Sequence, residues 1–387
     1  MKIFVSISAV VLSSILVGAA PVEKKVALDK YEGLKYSEND IPTFNSNAAV
    51  PKNIIFIIGD GMGVGAHNAA SIYCFGETNK LYMHQLPVNA MVKTRSLNNT
   101  VTDSAASGTA MATGNKVNNG NIGGCSKKDA PFVSLKSIAA FAKDQGKAIA
   151  IVTSDSSVGA TPAAFYAHRA SRHDFNGIME DQLACDFEIV LGNKSTYQWL
   201  RSTDNAEKVA RVNDTHVIVD GIDAFKTAPA DKKVLVNLDN DFLNKETSVA
   251  EFMMASIERV EKDPDGFFMM VECCYPDKGG HSNDPSKSVL GTIHIDYAIK
   301  AAVEYAAKNG NTLVVVTADH ETGGITNVSR DEQNLIITYT TGHHTAADVP
   351  LYAFGPGAEK FAGNIDNTEI PAKMADFWNI KLEKLEE

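Results

Sequence analysis

Positive charge is in short supply: 36 Lys and Arg face 47 Asp and Glu, for a formal net charge of −11. That balance argues against a nucleic-acid or anionic-membrane partner, whose phosphates the chain would repel. Cysteine is scarce too. Cys74, Cys125, Cys185, Cys273 and Cys274 are too few for a disulfide scaffold, yet enough for one bridge in an oxidising compartment. No internal repeat, low-complexity tract or Pro/Gly-rich linker divides the chain, so one domain with insertions is expected.

The one conspicuous apolar run outside an α/β pattern is at the start. Lys2 precedes Ile3 to Ala20, a run too short and too weakly flanked to span a membrane. Val17 and Ala19 suit the small positions of a cleavage site, and Pro21 follows. These features predict a signal peptide over residues 1–19, with an uncleaved anchor as the alternative. No Cys ends the run, so nothing suggests a lipid anchor. The expected product is a secreted or periplasmic chain of about 368 residues, its charge moved from −11 to −12 by loss of Lys2. Sequons at Asn98, Asn193, Asn213 and Asn327 would carry glycans only in a eukaryotic secretory pathway.

Residues 20–50 are polar and aperiodic, an expected arm laid over a body spanning 51–387. From Asn53 the pattern alternates strand and helix. Ile54 to Ile58, Ala148 to Val152, Phe267 to Val271, Thr312 to Thr317 and Leu351 to Phe354 read as buried strands. Ser134 to Lys143 and Val289 to Lys308 read as helices. Such alternation predicts an α/β fold with a central, mostly parallel sheet between helical layers. Residues 195–265 carry no recognisable chemistry and are expected to complete the periphery of the sheet. Residues 321–345 look like a strand-rich excursion.

Polar residues cluster just after these strands, where open α/β sheets bind ligands. Asp60 follows the first strand, Glu272 ends another, and Asp319 and His320 end a third. With Ser104 and His344 they combine a serine nucleophile with residues of metal-ligand type, which points to metal-assisted phosphoryl transfer. Bound divalent cations would also explain how so acidic a chain accepts an anionic substrate.

Six segments, in order, resemble the alkaline phosphatase family from about residue 52 to residue 357. They are Gly59 to Gly63, Thr102 to Ser107, Ala160 to Ala164, Glu272 with Asp277 to His281, Thr317 to Gly324, and His344-Thr345. The resemblance implies a phosphomonoesterase with two zinc ions and one magnesium ion, acting on small phosphate monoesters. A homodimer is among the assemblies it allows.

By the same resemblance, Ser104 is the nucleophile at a helix start, where the dipole favours phosphate. Asp103 or Ser104 acting merely as a cap is the plainer alternative. Asp277, His281 and His344 would hold the first zinc, with the adjacent His343 as the competing histidine. Asp60, Asp319 and His320 would hold the second, completed by Ser104. Asp60, Thr161 and Glu272 would hold magnesium, since all-oxygen ligation suits a hard cation. A salt bridge is the alternative role for Glu272. Arg172, eleven residues after Thr161, would grip phosphate with its guanidinium fork, with Arg169 as the competitor. Lys278 would touch phosphate through water, unless it is simply a solvated lysine.

The chain departs from the family in two places. Ala346 stands where the family usually has Gly, and Gly159 stands where it commonly has Asp or His supporting the magnesium site. Magnesium affinity and the pH optimum are the properties that the second change touches. The resemblance also suggests a Cys125–Cys185 disulfide, worth about 4 kcal/mol by loop-closure entropy. Cys273 and Cys274 read as buried thiols. The implied reaction is a double displacement through phosphoserine at Ser104. A phosphodiesterase of the same superfamily and an inactive zinc- or phosphate-binding protein are the competing functions. No Cys/Ser-x-Pro-x-Arg motif marks a sulfatase.

Overall fold

The computed structural model describes residues 20–29, 41–42, 48, 50–126, 131–193, 207, 210, 214–238 and 248–385. The expected signal peptide and the Asn213 sequon lie outside them. In chain order the strands are β1 (Val22–Ala27), β2 (Asn53–Gly59), β3 (Val88–Lys93), β4 (Gly124–Cys125), β5 (Val133–Ser134), β6 (Ala148–Thr153), β7 (Ile189–Asn193), β8 (His216–Asp220) and β9 (Lys233–Leu238). They continue as β10 (Phe267–Cys273), β11 (Thr312–Thr317), β12 (Glu321–Thr322), β13 (Ile325–Arg330), β14 (Asn334–Tyr339), β15 (His344–Thr345), β16 (Val349–Phe354) and β17 (Gly363–Asp366).

The helices are α1 (Val64–Phe75), α2 (Ser104–Thr113), α3 (Ile138–Asp144), α4 (Ala160–Ala163) and α5 (Phe175–Ala184). After them come α6 (Gly221–Lys226), α7 (Ser248–Val260), α8 (Tyr275–Ser282), α9 (Pro285–Asn309) and α10 (Glu369–Phe377).

A strand as apolar as Ile54 to Ile58 has no face to offer water, so it must be covered on both sides. β2 is buried throughout and lies inside a ten-stranded sheet of order β17-β3-β16-β11-β2-β10-β6-β7-β9-β8. Only β16 opposes its neighbours, β11 and β3; every other adjacent pair is parallel. The expected α/β architecture is therefore present. β9 and β8, with α6 against them, extend the sheet at one end, whereas α7 packs on α9 and the central strands β6 and β10; β1 pairs antiparallel with β14 in a separate three-stranded sheet.

Strand register decides where the chemistry gathers. Glu272 stands beside Ile58 of β2 and Thr153 of β6, while Thr317 of β11 also stands beside Ile58. The carboxyl ends of four neighbouring strands thus finish level, and Thr153, Asp60, Glu272 and Asp319 emerge along one edge.

Helix boundaries follow caps rather than apolar spacing. α3 starts four residues later than Ser134, because Ser137 accepts from the Ala140 amide at 3.1 Å while Val133 and Ser134 pair as β5. α9 starts four residues before Val289, since Asp284 caps the Ser286 amide and Pro285 takes the first helical position.

Candidate active site

The turn after β2 sets the geometry. Gly61 has φ +69°, and a Cβ there would sit 2.6 Å from the Asp277 Cα, so glycine lets the turn lie against α8. Its amide donates to Asp319 Oδ1 at 3.0 Å, which fixes one carboxylate oxygen and leaves Oδ2 facing inward.

Asp277 and His281 are one turn apart on α8, and His344 reaches them from β15. Asp277 Oδ1 lies 3.4 Å from both His281 Nε2 and His344 Nε2, which are 3.1 Å from each other. His281 Nδ1 bonds the Gly342 carbonyl at 2.8 Å, and His344 Nδ1 bonds the Thr102 carbonyl at 2.9 Å. A carbonyl only accepts, so each Nδ1 carries the proton and each Nε2 presents a lone pair. Two facing lone pairs and a carboxylate oxygen form a ligand set for a positive charge. The electrostatics agree. Burial works against a charged His344, yet the Asp277 carboxylate facing its Nε2 raises the imidazole above its ordinary pKa, so a positive charge between the two is favoured. Burial likewise disfavours ionised Asp277, but the His344 bond and the His320 and His281 rings hold it below the usual range. His343 is exposed, so His344 is the histidine brought into the cluster.

Asp60, Asp319 and His320 make a second, fully buried cluster. Thr322 Oγ1 gives its one proton to Asp277 Oδ1 at 2.6 Å and lies 3.1 Å from His320 Nδ1, which must therefore donate to it. His320 Nε2 is left as a lone pair facing Asp319 Oδ2 at 3.1 Å and Asp60 Oδ1 at 3.5 Å. Among the described residues neither of these oxygens accepts a hydrogen bond. Buried acceptors arranged this way are costly unless a cation joins them. Ser104 Oγ completes the ring, 3.2 Å from His320 Nε2.

Ser104 opens α2, whose ten residues are all buried. Gly108 permits this. A Cβ there would lie 3.3 Å from the Thr161 Cα on α4, so a larger residue would crowd the two helices. Asp103 is indeed the cap, accepting from the Ala106 amide at 2.9 Å, and Ser104 is free to face the second cluster. The two roles are divided between neighbours.

Thr161 and Glu272 are both buried, and the Glu272 charge is among those that act on Asp60. Thr161 Oγ1 is buried and has no hydrogen-bond partner among the described residues. Glu272 accepts from Thr153 Oγ1. Burial, then the charge of Asp155, pushes the Glu272 carboxyl up to about 8. Asp60 is also raised well above its ordinary value by burial, followed by the charges of Asp319, Asp277, Glu272 and Asp155. An all-oxygen set this poor in positive charge fits a hard divalent cation.

Asp103 has a second task, holding Arg172 Nη1 at 3.2 Å on Oδ2. Arg169 turns away to Asp181 Oδ1 at 2.6 Å and the Gly177 carbonyl at 2.8 Å, so Arg172 is the arginine paired with Asp103, the residue before Ser104. Lys278 Nζ is 2.7 Å from Asp155 Oδ1, so it is a paired lysine rather than a solvated one. Sequence reasoning missed Thr322, which joins the two clusters, and Asp155. Thr322 lies inside the quoted Asp319-to-Gly324 motif, and Asp155 follows the strand Ala148–Thr153.

The suggested Cys125–Cys185 disulfide is corrected: both are free thiols. Cys125 packs with Ala106, Val117 and Leu135, its Sγ donating to the Ser126 carbonyl. Cys185, capping α5, donates to the Gln182 carbonyl at 3.1 Å, and burial raises its thiol to about 12. Each thiol is satisfied within its own segment. Cys273 and Cys274 are buried, as expected.

Comparison with known proteins places the chain in a family. A sequence model of the family described as Alkaline phosphatase matches residues 51–189, 228–336 and 327–380. Alkaline phosphatase 3 of Bacillus subtilis is 29% identical across 86% of this chain and 90% of its own. The Escherichia coli K12 alkaline phosphatase is 27% identical across 90% of this chain and 88% of its own. The solved alkaline phosphatase of the Antarctic bacterium TAB5 superposes with a TM-score of 0.76 at 29% identity, covering 85% of this chain and 99% of that one. The chain belongs to the alkaline phosphatase family and is a phosphoric monoester hydrolase.

Proposed function

We propose that this chain hydrolyses phosphate monoesters through a phosphoserine on Ser104, with two zinc ions and one magnesium ion. The observation that carries the reading is the position of Ser104 Oγ, at a helix start and 3.2 Å from His320 Nε2, the ring nitrogen that faces Asp60 and Asp319. Asp277, His281 and His344 would hold one zinc, and Asp60, Asp319 and His320 with Ser104 the other. Asp60, Thr161 and Glu272 would hold magnesium; a mutant of the TAB5 enzyme has been solved with Mg bound in its M3 site. When bound, the ions supply Lewis acidity and neutralise phosphate charge.

The chain's own groups do the rest. Arg172, oriented by Asp103, takes two phosphate oxygens in its fork. Ser104 Oγ attacks phosphorus in line, the Oγ–P bond forming as the ester P–O bond breaks and the alcohol departs with a proton. Water then attacks the phosphoserine, its O–P bond forming as the Ser104 Oγ–P bond breaks. The α2 dipole favours the charge on phosphorus throughout. Export rests on the apolar N-terminal run; no helix among the described residues is long and apolar enough to cross a membrane.

Acid quenching during turnover, followed by peptide mass spectrometry, tests the central step. One phosphate on Ser104, lost in Ser104→Ala, is the expected result. Turnover with no phosphate on Ser104 would contradict it.

A further inference from the structure

Gly159, two residues before Thr161, leaves the magnesium site without the usual support from its own loop. Its backbone does not require glycine, since φ is −58° and ψ 159°. The reason lies in the space above it. A Cβ at this position would meet the Ser156 carbonyl oxygen at 2.8 Å and Asp155 Oδ2 at 3.1 Å. The carboxylate of Asp155 already occupies the volume that a side chain at 159 would enter.

Resting on the proposed magnesium site, we infer that Asp155 is a positioning residue for it, supplying from four residues upstream the carboxylate that Gly159 lacks. Three contacts support the assignment. Asp155 Oδ1 accepts from Lys278 Nζ at 2.7 Å, which orients the carboxylate. The Asp155 amide donates to Thr153 Oγ1 at 2.9 Å, and that hydroxyl donates to Glu272, so Asp155 and Glu272 share one hydrogen-bonded link. The Asp155 carbonyl accepts the Asn193 amide at 2.7 Å, pinning this segment to the end of β7. Lys278 also directly follows Asp277. The Asp155–Lys278 pair therefore ties the loop after β6 to the helical turn that carries the Asp277/His281/His344 cluster. Magnesium keeps several water ligands, and these need fixed acceptors beyond the protein ligands themselves.

Magnesium binding to the zinc-loaded protein, measured by titration calorimetry with metal analysis, tests the inference. Wild type should take one magnesium. Asp155→Ala should weaken it by about 10- to 100-fold, the usual cost of losing an outer support, while two zinc ions remain. Asp155→Asn keeps the volume and an acceptor for Lys278 but removes the charge, so it should fold as wild type and still bind magnesium more weakly. Equal magnesium affinity in wild type and both Asp155 variants overturns the role of Asp155 alone. A wild type that takes no magnesium overturns the proposed third site and the inference together.

Discussion

His281 Nε2 and His344 Nε2 lie 3.1 Å apart, each on a ring whose Nδ1 is committed to a backbone carbonyl. Neither can donate to the other, so a cation is the natural occupant of the gap. His344→Ala is expected to lose about one equivalent of zinc and most activity, with Asp60, Asp319 and His320 still holding theirs. Metal analysis of the purified variant checks this.

Ser104→Ala removes the proposed nucleophile but no protein carboxylate or imidazole. Its kcat should fall on the order of a thousandfold or more while metal content stays near wild type. Turnover by the Ser104→Ala protein at a rate near wild type would contradict its role as nucleophile.

The two arginines should separate cleanly. Arg172→Ala should raise KM and the inhibition constant of inorganic phosphate by roughly 10-fold or more, as expected for lost charged hydrogen bonds. Arg169→Ala breaks contacts to Asp181 and Gly177, so it should lower Tm and leave phosphate inhibition nearly unchanged. Steady-state kinetics and thermal melts of both variants decide the matter.

The metal-free protein should be less stable in mild alkali than in mild acid. Glu272, with an ordinary value of 4.5, holds its proton up to about 8 in the fold, chiefly through burial and then Asp155. Between those values the folded state binds more protons than the unfolded chain, so stability falls as pH rises. Asp60 shifts in the same direction. Bound cations reverse this contribution, and the rise in Tm on adding zinc and magnesium should be larger at about pH 8.5 than at about pH 5.5. Asp296, pushed up to about 7 by burial despite hydrogen bonds from the Tyr82 and Met83 amides that act the other way, adds a similar slope that metal does not reverse.

Much of the candidate site could be read from the chain because its proposed ligands follow strand ends or share a helical turn. Ile54 to Ile58 and Thr312 to Thr317 are apolar enough to locate their own termini, and Asp60, Asp319 and His320 follow at once. Asp277 and His281 are spaced for one helical turn, and α8 supplies it. Less visible were contacts that depend on side chains meeting across the fold. Asp155 falls on a loop with no periodicity, and only the space above Gly159 reveals it. Thr322 hydrogen-bonds both clusters, which its place in a motif does not disclose. The Cys125–Cys185 pairing rested on resemblance, whereas each thiol faces its own local partner. Ser137 overrode apolar spacing at the start of α3, since a cap fixes a helix end more sharply than periodicity does.

The most direct measurement is p-nitrophenyl phosphate hydrolysis at about pH 9 by zinc- and magnesium-loaded protein, before and after chelation, beside a diester substrate. Fast monoester turnover, abolished by chelator and restored by zinc, with the diester much slower, is the predicted result. A fully metallated, folded protein that cleaves only the diester, or nothing, would contradict it.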